Sequence, residues 1–226
     1  MTVLGIMGKG DELIARVIRG DKDAELSANN LLAEFQRGYP IDRLATLLES
    51  ETEEVVKTGV WIASELGGKA APHLKRIAAL LSHPHPHVRF FAIDSVLTCA
   101  TVADGKIAAD VVLLLGDKDS AVRWKALVFL VQAPQALLNA ALACLSQSND
   151  RSAHLVGLRL LASSDSEIRR TAGSYLDSED DILKRYGTVA AVRVAREDTS
   201  LLNRALLSAD SELRQFIDDM RQRMQH

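Results

Sequence analysis

The feature that most constrains this chain is a repeat marked by three valines. Val55, Val88 and Val122 lie 33 and 34 residues apart, and each follows a leucine that ends an apolar run. Every unit has the same order, an apolar stretch, a short polar turn and a second apolar stretch. The paired apolar stretches are residues 40–48 and 55–66, 70–81 and 88–99, and 107–115 and 122–132. Apolar residues that recur every three or four positions indicate helices. Self-similarity at such a period is typical of stacked repeat architectures, so the unit is predicted to be a helix hairpin.

The hairpins differ in clarity along the chain. Residues 40–132 carry the clear repeats, residues 1–39 are predicted to form an N-terminal cap, and residues 146–226 read as degenerate C-terminal repeats. No stretch alternates Val, Ile or Thr with polar residues between turn signals, so no strand is predicted. The predicted fold is all-α, a single α-solenoid domain over residues 1–226. It would stack about six antiparallel helix pairs and become irregular toward the C-terminus.

A small residue follows each marker valine by four positions. Gly59, Ala92 and Ala126 occupy this slot. Two helices can approach closely only where a contacting side chain lacks bulk. These three residues are therefore predicted to be structural, on the buried face of the second helix.

Composition limits the class of protein. The chain has 226 residues, 47% of them hydrophobic, and a net charge of −3. The negative sign argues against broad electrostatic capture of nucleic acid. No apolar run approaches the roughly 20 residues of a membrane helix, and the first ten residues lack a basic start and a cleavage site for secretion. With Cys99 and Cys144 inside apolar stretches, we expect reduced cysteines and a cytoplasmic protein.

Two stretches carry a family resemblance. LLSHPHPHVRFFAIDSVL and LLGDKDSAVRWKALVFL resemble HEAT repeats, with a turn followed by Val-Arg-x-x-Ala on the second helix. The resemblance implies a right-handed α-solenoid whose second helices line the concave side. It also implies that Arg89 and Arg123 form a structural ladder with turn acids or carbonyls of the adjacent repeat. Val56 and His154, which stand where the other units have arginine, depart from the pattern.

The positions two and six after each valine form a separate stripe of the second helices. This stripe is predicted to be exposed on the concave side. Its members are Lys57 and Trp61, Phe90 and Asp94, and Trp124 and Val128. Since aromatic residues are enriched at the centres of interfaces, the stripe is a candidate partner-binding patch. The alternative is that the rings complete the core between repeats.

An acidic cluster precedes the first clear second helix. Glu51, Glu53 and Glu54 are candidate partner-binding residues, because an acidic edge beside an aromatic patch would steer a basic partner. The alternative is a solvated helix N-terminus, where the helix dipole favours acids.

Sites of other kinds find little support. His83, His85 and His87 alternate with prolines, but three ligands fall short of a structural zinc site, so a stiff turn is predicted and no metal. The chain has no P-loop, GxSxG or HExxH motif, and we predict no catalytic residue and no cofactor.

A second resemblance concerns function. NNLLAEFQRGYPIDRL, VVKTGVWIASELG and VRFFAIDSVL resemble small bacterial HEAT-type immunity proteins of polymorphic toxins. The resemblance implies a non-catalytic protein-binding module that neutralises a toxin domain, such as a basic nuclease, by direct contact. Two alternatives stay open. One is a HEAT enzyme similar to alkylpurine DNA glycosylases, which would use Trp61, Asp94 and Trp124, and the other is a phycobilin lyase-like protein.

Overall fold

The computed structural model of the chain describes residues 8–21, 23–147, 152–195 and 199–224. Every regular element in these ranges is a helix, which confirms the predicted all-α class. The chain divides into two compact units, Met1–Cys99 and Ala100–His226. The single domain over residues 1–226 stays a prediction.

The first unit contains six α-helices among the described residues. They are α1 (Lys9–Arg19), α2 (Ala24–Gln36), α3 (Ala45–Leu48), α4 (Glu53–Leu66), α5 (Leu74–Ala79) and α6 (Pro86–Cys99). Short 3₁₀ turns flank α3 and α5, at Ile41–Leu44, Gly67–His73 and Leu80–Ser82. Helix α4 packs against α2, α3 and α6, so it forms the centre of the unit.

The small slot on α4 explains how its neighbour comes so close. A Cβ atom on Gly59 would lie 2.7 Å from the Cβ of Leu47 on α3. A real side chain there would push the two helices apart. In α6 and α8 (Ser120–Gln132), Ala92 and Ala126 occupy the same slot and are fully buried.

The second unit contains eight α-helices in the part of the chain that the structure describes. They are α7 (Gly105–Leu113), α8 (Ser120–Gln132), α9 (Gln135–Gln147), α10 (Ala153–Leu161), α11 (Asp165–Leu176), α12 (Asp181–Val194), α13 (Ser200–Ser208) and α14 (Ser211–Met224). Helix α7 packs against α9, α10 against α12, and α11 against both α12 and α13.

Helix α12 departs from a regular stack, because it packs against α8 as well as α10 and α11. Two of its arginines satisfy backbone carbonyls near the ends of earlier helices. Arg185 donates to the carbonyl of Leu115 at 3.0 Å, and Arg193 donates to that of Leu130 at 2.8 Å. The irregularity predicted after residue 146 is confirmed within this unit.

The predicted exposure of Val128 on α8 is wrong, since this side chain is 2% exposed.

The two arginines of the predicted ladder bond in the same way. Arg123 donates through Nη1 to the carbonyls of Asp117 and Lys118, at 2.8 and 3.0 Å. Arg89 donates to the carbonyls six and five residues before it, at 2.7 and 2.9 Å. The turn carbonyls that the resemblance implied as acceptors are thus present, in the turn that precedes each arginine's own helix, and Arg123 donates in addition to the carboxylate of Glu212 on α14.

The histidine turn before α6 is ordered by its own imidazoles. The backbone N–H of His85 donates to Nδ1 of His83 at 3.1 Å, and that of His87 donates to Nδ1 of His85 at 3.2 Å. Across the described ranges no group of His, Cys, Asp or Glu is arranged to hold a metal ion.

Helices α8 and α9 meet at a bend of 116°. Pro134 lies between them, and its carbonyl accepts from the N–H groups of Leu137 and Leu138 in the first turn of α9. No single helix among the described residues is long and apolar enough to cross a membrane, and only α8 and α9 taken together across the bend reach that length and apolarity.

Candidate protein-binding groove

The first unit contains a groove of about 610 Å³ between α1, α2 and α4. Three of the residues predicted to bind a partner, Glu54, Lys57 and Trp61, lie in its wall. The full lining is Val17, Gly20, Glu25, Ala28, Asn29, Glu54, Lys57, Thr58 and Trp61.

Helices α1 and α2 form the first wall. Helix α1 ends at Gly20, whose φ of 66° is left-handed and therefore suits glycine. Val17 and Ala28 are 4% and 6% exposed, so the floor of this wall is apolar.

Helix α4 forms the opposite wall. Lys57 and Trp61 are four residues apart and share one helix face. The ammonium of Lys57 lies 2.9 Å from a carboxylate oxygen of Glu54, and the hydroxyl of Thr58 donates to the Glu54 carbonyl at 3.0 Å. The Trp61 ring is half-buried, and its N–H has no acceptor among the described residues.

Among the described residues that line the groove, the charge left without an ion pair is negative. Lys57 is paired with Glu54, whereas Glu25 on the other wall pairs with no cation in the described part of the chain. Glu51 and Glu53 are exposed near the start of α4, and a Glu53 carboxylate oxygen lies 4.0 Å from a ring nitrogen of His85. Of the acids predicted to steer a partner, Glu53 and Glu54 therefore stand on the helix that carries Trp61, and Glu51 lies just before that helix.

Two apolar side chains on the helices that line the groove are exposed to solvent. Ile18 follows the lining residue Val17 on α1 and is 43% exposed, and Leu26 follows Glu25 on α2 and is 62% exposed. A single exposed apolar residue is ordinary. Both residues belong to helices that line the groove, but neither is itself a lining residue.

Phe90 and Asp94 lie elsewhere in the first unit. Both are half-buried on α6, and neither lines the groove. The Phe90 ring packs edge-on against Phe91, with the centroids 5.3 Å apart. The structure thus groups Lys57 and Trp61 with Glu54, and not with the other stripe residues of this unit.

Trp124 in the second unit is engaged by α14. Its indole N–H donates to a carboxylate oxygen of Asp219 at 3.2 Å, and the guanidinium carbon of Arg223 lies 5.4 Å from the ring centroid. Beside it, Arg123 donates to the carboxylate of Glu212, and this bond raises the pKa of the Arg123 guanidinium. Trp124 is half-buried as a result.

Sequence reasoning missed the first wall of the groove. Val17, Glu25 and Ala28 lie outside the clear repeats and carry no motif. The one signal that could have located them was the weak helical periodicity of residues 12–19 and 24–35. It predicts an opening helix pair, although not which face of that pair meets α4.

Comparisons with known proteins give structural neighbours alone. No protein-family model matches the chain, and no curated protein matches it at a significant level. One engineered protein of known structure is 15% identical, over 97% of this chain and 69% of its own, with a TM-score of 0.48. Another is 18% identical over 80% and 95%, with a TM-score of 0.44. A designed armadillo repeat protein is 11% identical over 80% and 98%, with a TM-score of 0.42.

Proposed function

We propose that the protein is a non-catalytic protein-binding module and that the groove between α1, α2 and α4 is its binding site. The observation that supports this is one cavity with an apolar floor, a half-buried tryptophan and a carboxylate that has no ion pair among the described residues. Clefts of this kind, with a few placed polar groups in an apolar wall, are the usual form of a binding site. Stacked helical repeats are typical scaffolds for such surfaces.

The finer proposal is that the partner is a basic toxin domain and that the protein acts as its immunity protein in the cytoplasm. Two of the segments that resemble immunity proteins cover residues 29–44 and 55–67. They contain Asn29, Lys57, Thr58 and Trp61 of the groove lining. Glu25, which has no ion pair within the described ranges, and the exposed Glu51 and Glu53 would attract a basic surface.

The test is direct binding to the toxin domain encoded beside this protein in its genome. We expect a 1:1 complex by isothermal titration calorimetry, which weakens as salt is raised because charged surfaces are screened. Trp61→Leu should weaken it about thirtyfold, the effect of losing an interface anchor. Leu207→Ala is the matched control, since Leu207 is 84% exposed in the other unit.

Two results would contradict this function. One is the absence of a complex between correctly folded proteins. The other is a complex that Trp61→Leu and Leu207→Ala weaken equally, because the groove would then not be the contact surface. Thermal unfolding of each variant checks that the fold is intact.

A further inference from the structure

The charges that line the groove determine which kind of partner group complements it. Lys57 is neutralised by Glu54, and Glu25 faces the same cavity with no cation to pair with among the described residues. A partner group that covers Glu25 removes water from its carboxylate. If that group is another carboxylate or an apolar side chain, the lost hydration is not replaced and binding costs free energy. The group that complements this wall is therefore a cation.

The ring of Trp61 narrows the choice of cation. The residue is half-buried and lines the same cavity as the apolar residues Val17 and Ala28. Tryptophan is the ring that binds cations best, and arginine stacks on it more often than lysine does. An arginine also buries its aliphatic stem along apolar surface while its planar head pairs with a carboxylate.

The molecule contains a local example of this arrangement. Trp124, which belongs to the same predicted stripe of the sequence, has the guanidinium of Arg223 5.4 Å from its ring centroid and donates its N–H to Asp219. Both groups come from α14, whose apolar residues Leu213 and Phe216 are buried. An amphipathic helix that carries arginine is thus one solution that this chain already uses to cover such a tryptophan.

Building on the proposed function, we propose that the groove binds an arginine side chain from a helical segment of the partner. The guanidinium lies over the Trp61 ring and pairs with the carboxylate of Glu25. The Trp61 N–H, which lacks an acceptor among the described residues, donates to a carboxylate or carbonyl of the same segment.

The two tryptophans allow a direct measurement. The chain has two tryptophans, so a ¹⁵N-labelled sample gives two indole N–H signals, which Trp61→Phe assigns. The probe is an alanine-based helical peptide with one central arginine, and its control has citrulline, the neutral isostere, at that position. We expect the arginine peptide to shift the Trp61 signal in a saturable way and to leave the Trp124 signal in place. The citrulline peptide should bind about two- to fivefold more weakly.

The contribution of Glu25 is tested by a matched pair of variants. Glu25→Gln should weaken the arginine peptide about two- to fivefold, the effect of one exposed ion pair. Glu179→Gln removes the same charge from an exposed position in the second unit and should leave the affinity unchanged. Both variants should give the wild-type pattern of backbone amide signals, which shows that the fold is kept.

The outcomes separate this inference from the function on which it builds. Equal binding of the arginine and citrulline peptides, or equal effects of the two glutamate variants, would overturn the arginine site even if the toxin complex forms through Trp61. A selective shift of the Trp61 signal would support the arginine site even if the neighbouring toxin proves not to be the partner.

Discussion

Single side chains in the second unit are packed without spare room. Tyr186 on α12 is fully buried, and its ring lies against Gly157 on α10 so closely that a Cβ atom on the glycine would overlap it. The tyrosine hydroxyl lies 3.5 Å from a ring nitrogen of His154, and burial raises the pKa of the tyrosine well above its usual value. The glycine is therefore required by its neighbour and not by backbone conformation.

Gly157→Ala is expected to lower the free energy of unfolding by about 1–3 kcal/mol, the usual effect of overpacking a core. Gly116→Ala in the same unit is the control, because a Cβ there would be 3.8 Å from the nearest atom, in ordinary contact. Urea unfolding of the two variants measures the difference. Equal midpoints would show that the Tyr186 ring can move aside.

At the scale of helices, α14 is an amphipathic helix whose position is set by side-chain hydrogen bonds as well as by apolar packing. Its apolar side, with Phe216 and Ile217 fully buried, supplies most of the burial. The bonds from Arg123 to Glu212 and from Trp124 to Asp219 fix where α14 lies on α8. Both pairs are only partly exposed, so they are screened less than surface pairs.

A double-mutant cycle tests this pairing. Arg123→Met and Glu212→Gln are expected to be non-additive, with a coupling of about 1–2 kcal/mol, because the guanidinium and the carboxylate are 17% and 24% exposed. Urea unfolding of the wild type, both single variants and the double variant gives the value. Additive losses would mean that apolar burial alone holds the helix.

The clear repeats were predictable because each helix has a local signal. The second helices predicted at residues 55–66, 88–99 and 122–132 are observed as α4, α6 and α8, each starting two residues earlier. The first helices of the first two units were predicted too long, whereas the third, predicted at residues 107–115, is observed as α7 with the same length and a start two residues earlier. Residues 70–81 are broken into a 3₁₀ turn, α5 and another 3₁₀ turn, because Pro72 has no N–H to continue a helix.

The site was predictable only in part, for a physical reason. Trp61, Lys57 and Glu54 stand on one periodic helix, and their grouping follows from a spacing of three and four residues. The cover over Trp124 comes from Asp219, 95 residues further along the chain. Contacts of that separation depend on how the degenerate C-terminal helices pack, which periodicity does not reveal.

Taken as a whole, the chain depends on ionised carboxylates in both units. Three of them have their pKa lowered by hydrogen bonds from neighbouring groups. They are Asp11 beside Tyr39 and Arg43, Glu34 beside Lys9, and Glu167 beside Arg170. A carboxylate whose pKa is lower in the folded state stabilises the fold above its unfolded pKa, and that contribution is lost as the pH falls through the folded value.

We therefore expect the melting temperature to fall as the pH drops below the ordinary carboxyl pKa values, 4.5 for Glu34 and Glu167 and 3.8 for Asp11. Asp11→Asn should flatten this dependence, because it removes one of the three groups. Asp42→Asn, at an exposed position, should not. Calorimetric scans between neutral and acidic pH test this, and parallel curves for the two variants would contradict it.

The arginine that follows each marker valine has a consequence for how such a chain can change over evolution. Besides the bond from Arg123 to Glu212 on α14, Arg89 and Arg123 each donate to two carbonyls of the turn inside their own hairpin. One copy of the unit therefore carries the acceptors that close its turn. Duplication or deletion of a whole hairpin would leave these bonds complete in every surviving copy. Whole helix hairpins can thus be gained or lost in evolution without an intermediate protein in which a turn lacks its arginine bonds.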